Sequence, residues 1–190
     1  MVLPVWHVLL PALFAAAGQA LEAPRVSLEE LTQRAEWIAR ARCVRTWEAA
    51  DEETQRVWTH AELEVAEALK GEMPRTVVVS EPQPLPNEPE GYTKGAPRYT
   101  AGEGVLVFLY RTPLGLLRTV GLGQGKFTLL AEPSTGEFLV RTNTAGMPLA
   151  PPAGPARIRG IEHEKLDGLK LSELRGLIEI VQIRQAKERR

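Results

Sequence analysis

The residues with the best claim to chemistry are His60, Glu62 and Glu64, which alternate along RVWTHAELEVAEALKG. On a strand, every second side chain points to the same face, so one imidazole and two carboxylates could converge there on a metal ion or activate water. A second local set, Glu162, His163 and Glu164, lies in a Pro/Gly-rich stretch, where such residues are expected to be exposed. Serine nucleophiles are scarce: Ser27, Ser80, Ser134 and Ser172 are the whole supply, and none sits in a GxSxG elbow. No spacing marks a pair of catalytic carboxylates. The plainer reading of the His60 face is a solvated sheet surface, so no metal or cofactor is expected.

VGLGQGKFTLL poses a separate question, because Gly121, Gly123 and Gly125 are followed by Lys126. A P-loop needs GxxxxGK with Ser or Thr next, but Val120 stands where the first glycine belongs and Phe127 follows the lysine. The dinucleotide pattern GxGxxG fails at Lys126. Glycines between two strand-like runs suit a bulge, a sharp bend or a close backbone approach.

The remaining chemistry is recognition. Trp58 shares the polar strand face with His60, and the Pro-rich segment from Glu81 to Glu103 carries Tyr92 and Tyr99. Aromatic side chains on a surface or rigid loop are common binding elements, so these four are the candidate contact residues. Arg40, Arg42 and Arg45 are the only support for a nucleic-acid or glycan site, and a formal net charge of -1 argues against an extended phosphate-binding surface.

These residues must be positioned by elements that the pattern also predicts. Ser27 and Glu30 have capping-box spacing, predicting a short helix from about Ser27 to Glu36. In WIARARCVRTW, Trp37, Ala39, Ala41 and Cys43 fall on one face, with Arg40 and Arg42 on the other, predicting a strand that buries Cys43. RVWTHAELEVAEALKG, RTVVVS, GVLVFLY, LLRTVGL, KFTLLA and EFLVR continue the series, with EPSTGE as a hairpin loop. GVLVFLY is apolar on both faces, as a central strand would be. LSELRGLIEIVQIRQAKERR places Leu174, Leu177, Ile178 and Val181 on one helical face, starting from a cap at Ser172.

The expected organisation is a signal peptide over 1–20, a β-barrel domain over 21–142, a Pro/Gly-rich linker over 143–170 and a C-terminal amphipathic helix over 171–190. MVLPVWHVLLPALFAAAGQA is apolar and ends in small residues, with Gly18 and Ala20 placed for cleavage before Leu21. Export to the periplasm or medium, with no stable membrane insertion afterwards, is the expectation. A single cysteine allows no internal disulfide, so the core must hold the fold. With 190 residues and 44% hydrophobic content, the chain has material for one such core.

The motif order WIARARCVRTWE, RVWTHAELEVAEALKGE, RTVVVSEP, GAPRYTAGEGVLVFLY and GLGQGKFTL resembles a family of exported bacterial proteins of unknown function. More distantly it is similar to the netrin-like, or tissue-metalloproteinase-inhibitor-like, OB barrel, chiefly through LKGE and AGEGVLVFL. The resemblance implies a secreted barrel without catalytic residues and raises a protease as the protein partner. The inhibitors' disulfide-bonded N-terminal cysteine has no counterpart, since the only cysteine is Cys43. The expected function is therefore a non-enzymatic module that binds a protein, with an exported hydrolase or metal-dependent enzyme using His60 with Glu62 or Glu64 as the alternative.

Overall fold

A computed structural model of the chain describes residues 23–52, 56–83, 95–144, 147, 149–150 and 160–188. The signal-peptide expectation and Tyr92 lie outside the described residues. The first helix, α1 (Leu28–Arg34), starts where the capping box places it. The Ser27 hydroxyl accepts from the Glu30 amide at 3.2 Å, and the Glu30 carboxylate accepts from the Ser27 amide at 2.9 Å. Two amides that the first turn leaves orphaned are thereby satisfied.

Among the described residues seven strands follow: β1 (Trp37–Ala50), β2 (Val57–Lys70), β3 (Thr76–Pro82), β4 (Gly104–Arg111), β5 (Leu117–Thr119), β6 (Lys126–Ala131) and β7 (Phe138–Thr142). They form one sheet in the order β1-β2-β3-β5-β4-β6-β7. β1 also pairs antiparallel with β4, from Trp37 opposite Leu109 to Arg42 opposite Gly104. With the parallel contact of β3 and β5 at Val79 and Leu117, this pairing closes β1, β2, β3, β5 and β4 into a ring. The fold is thus mainly β, as the alternating pattern predicts. Three register shifts between β1 and β2 bend the long hairpin, as closure demands.

Closure explains why β4 is apolar on both faces. Val105, Val107 and Leu109 point into the ring with Ala39, Ala41, Cys43, Leu63 and Val79. Leu106 and Phe108 point outward to a second core under the helices, with Leu28, Leu31, Ile38 and Phe127. The interior mixes alanines and a cysteine with Leu and Val, and small residues let five strands close tightly.

The second helix, α2 (Leu171–Glu188), lays Leu174, Ile178 and Val181 on this outer core, with Leu177 partly buried. Ser172 is not its cap: it sits inside the first turn, where its hydroxyl donates to Glu137 at 3.2 Å. The Glu173 carboxylate instead accepts from the Lys170 amide at 2.8 Å. Residues 160–170, expected as linker, are packed on the sheet. The Leu169 carbonyl accepts from the Val140 amide and the Val140 carbonyl from the Gly168 amide, both at 2.8 Å, with a further bridge between Leu139 and Lys170. This strap covers the outer edge of β7.

Among the described residues no helix is long and apolar enough to cross a membrane.

Candidate functional site

The outer face of β1, β2 and β3 brings together two of the four candidates, His60 and Trp58, and adds Trp47. Register places Trp47 opposite His60 and His60 opposite Ser80, so three side chains from three strands stand in a row. The Trp47 and His60 rings stack with centroids 5.2 Å apart and planes 25° apart. His60 Nδ1 lies 2.8 Å from Ser80 Oγ. The Arg45 guanidinium covers the other end, 4.7 Å from the Trp47 centroid, while its Nη2 lies 2.7 Å from the Glu62 carboxylate. Trp58 is half-buried one row along, opposite Ala49 and Pro82. Val44 and Val78 add exposed apolar area, at 48% and 39%.

This geometry separates the residues that spacing had grouped. Glu62 turns to Arg45 and Glu64 to Arg75 at 3.1 Å, while the imidazole is taken by Trp47 and Ser80. Among the described residues no three His, Cys, Asp or Glu side chains are placed to hold a metal ion. Burial lowers the His60 imidazole below its ordinary value, favouring the neutral ring. Arg40 lies 3.6 Å from Glu67, so with Arg45 on Glu62 the three arginines do not form a free cationic stripe.

Two sequence expectations are corrected. Tyr99 is not displayed on a loop: it is 8% exposed, packs in the ring interior, and its hydroxyl lies 2.8 Å from Thr119 Oγ1. Aromatic bulk among prolines looks like loop display in sequence, but the ring had space for it. His163 is not an exposed linker residue but 2% exposed, inclined against Phe127 with centroids 5.1 Å apart. Its neighbours diverge, Glu162 to Lys165 and Glu164 to Arg25, so the triplet does not converge. Burial pushes the His163 imidazole down, with partial offset from the nearby Gln124 backbone, Glu164 and Asp167. Among the described residues neither ring nitrogen reaches a partner in hydrogen-bonding geometry.

Sequence reasoning missed a buried polar cluster beside Tyr99. Lys126, with 1% of its side chain exposed, places Nζ 2.7 Å from the Glu103 carboxylate and 5.2 Å from the Tyr99 ring centroid. Thr128 donates to the same Glu103 oxygen at 2.5 Å. Across Tyr99, Glu81 is 3% exposed, accepting from the Thr119 amide at 2.7 Å and from Arg118 at 3.3 Å. Burial raises the Tyr99 phenol well above its ordinary value, and Glu81 adds to the shift. Cys43 is buried as expected; desolvation and then Glu103 raise its thiol, which makes it a poor nucleophile. The available signal was Lys126 and Thr128 alternating against Phe127 and Leu129, a pattern that an exposed strand shares.

The glycine stretch is a bend, as its failed phosphate motifs predict. Gly121 and Leu122 take φ of 64° and 60°, opening a 3₁₀ turn over Leu122–Gly125. A Cβ on Gly125 would meet the Val120 carbonyl oxygen at 2.2 Å, and one on Gly123 the Asn143 carbonyl oxygen at 2.7 Å. Gln124, 1% exposed, accepts from the Val26 amide at 2.9 Å and donates to the Pro24 carbonyl at 3.0 Å, clamping the segment leading into α1.

Chemically, the outer face offers stacked aromatic surface, one covering cation and flanking valines, whereas Ser80, the hydroxyl that contacts His60, is 2% exposed. No protein-family model matches the chain, and no curated protein matches it.

Proposed function

We propose that the chain is an exported, non-enzymatic binding module, its ring an OB-type barrel, that recognises a protein partner on the outer face of β1, β2 and β3. The observation carrying this reading is the Arg45, Trp47, His60 row beside Trp58, with Val44 and Val78 exposed around it. Protein interfaces are enriched in aromatic residues and Arg, and Trp and Arg dominate their hot spots. A five-strand ring supports the OB assignment, since that fold is a small Greek-key barrel that binds on its strand 2 and 3 face. The netrin-like resemblance favours a protease as partner, and export rests on the apolar, small-residue-terminated segment 1–20.

The test uses the mature chain, from Leu21, as bait against the envelope and medium of cells that make it. A partner identified by mass spectrometry should bind at least about tenfold more weakly to Trp47→Ala or Trp58→Ala, as hot-spot truncations do. Glu179→Lys, on the exposed face of α2, should bind as the parent does. Equal affinity of all three variants would remove the outer face from consideration.

One contact favours a second reading, an exported hydrolase using His60: the 2.8 Å approach of its Nδ1 to Ser80 Oγ. Turnover of a chromogenic ester, abolished by Ser80→Ala and by His60→Gln, would establish it. Persistence of the background rate in both variants would exclude this pair.

A further inference from the structure

A cavity of about 200 Å³ opens near the C-terminal end of α1, away from the aromatic row. Two guanidinium groups line it: Arg34 from the last turn of α1 and Arg118 from β5. They are held differently. Arg118 Nε and Nη2 both sit 3.3 Å from Glu81 Oε2, which fixes the plane of the group and leaves Nη1 uncommitted among the described residues. Arg34 is exposed and forms no ion pair among the described residues. Among the described residues Glu81, on Arg118, is the one carboxylate paired with either cation, so the two guanidinium groups outnumber their counter-charge.

The remaining wall is mixed. Tyr110 contributes a phenol, while Val26, Pro24 and Leu122 contribute apolar surface. Leu122 is fixed there by the left-handed turn, and Val26 by the bond from its amide to Gln124. One side of the cavity therefore offers charged donors in a partly water-excluded setting, and the other offers aliphatic carbon.

We propose that this cavity binds a carboxylate carried on a short apolar body. Guanidinium donors suit carboxylate oxygens in two-pronged geometry, and hydrogen bonds to charged groups are the strong class. Size sets the rest: the volume falls below the 300–1,000 Å³ of sites for drug-sized ligands, so the occupant is about one residue in extent. Two sources share this chemistry, a free branched short-chain acid and the C-terminal residue of a peptide. No residue of the aromatic row lines it: the wall comes from the segment before α1, α1 itself, β4, β5 and the glycine turn.

The test measures affinity by calorimetry and follows Leu122 methyl resonances by NMR, using isovalerate, isovaleramide, and acetyl-Gly-Leu as free acid and as C-terminal amide. Each free acid is expected to shift the Leu122 methyls, with at least about tenfold weaker binding for its amide counterpart and for the acids on Arg34→Gln. Tighter binding of the peptide acid than of isovalerate assigns the site to chain termini; the reverse assigns it to small acids. Glu179→Gln should leave every affinity unchanged. Arg34 is exposed, so Arg34→Gln should fold, as its thermal midpoint will verify. Equal binding of acid and amide, no Leu122 shift with either acid, or unaltered affinity in Arg34→Gln overturns the proposal.

Discussion

Lys126 carries a charge with 1% of its side chain exposed, which is tolerable because Glu103 lies 2.7 Å away. Removing one member of a buried ion pair strands the other, at a cost of about 3–5 kcal/mol. Lys126→Ala should lose that much in urea unfolding, whereas Lys126→Met combined with Glu103→Gln should recover most of it. His163 supplies a pH prediction. Its imidazole is pushed below the ordinary value of 6.5, so protonation costs more in the fold than in the unfolded chain. Its contribution is fully present above pH 6.5 and is lost as pH falls through the lower folded value; half-buried His60 acts with the same sign. His163→Phe, which keeps a ring beside Phe127, should flatten the fall in thermal midpoint between pH 7 and 5. An unchanged acid limb would show that His163 is not its source. Cys43 was legible in the sequence because alternation alone places it inside. Lys126 was not, because its acceptor lies 23 positions away and only the folded chain brings them together.

Elements were legible wherever their signals are local. The Ser27 and Glu30 capping box, the period of two through β2, and the run KFTLLA for β6 all stand where spacing puts them. Ser27→Ala should cost about 1 kcal/mol, the usual worth of such a cap, read as a shift in the denaturation midpoint. The glycine turn was legible as a bend but not as a junction. Its tightness gives a sharper prediction: Gly125→Ala must displace the Val120 carbonyl and should destabilise the fold by more than about 2 kcal/mol. Gly136→Ala in the hairpin between β6 and β7 meets nothing within 4 Å, so it should cost only the strain of φ 73°, about 1 kcal/mol. Similar losses at both sites would refute the packing argument. The start of α2 was misplaced because serine is a common cap, while tertiary contacts let Lys170 take that place with Glu173 as the responder.

At the scale of the whole molecule, a closed sheet was expected from the alternating pattern, but which strands close it was the part that sequence could not supply. Nothing local in β1 says that it pairs with β4 as well as β2; that follows from how three register shifts aim the hairpin. The ring and the helical layer share β4, so the two cores should unfold together. Leu171, Leu174, Ile178 and Val181 are buried on α2, and at about 1.5–3 kcal/mol for each side chain their removal withdraws about 6–12 kcal/mol, comparable with a domain's entire stability. A chain ending at Lys170 should therefore show no cooperative thermal transition by circular dichroism; a sharp one would mean that the ring stands alone. The strap over β7 has a consequence of another kind. An open sheet margin is a template on which a second molecule can lay its own backbone, and repetition of that event makes a fibre. With Leu169 and Gly168 already occupying the Val140 amide and carbonyl, that template is blunted along β7, and crowded copies of this chain should not join through that strand.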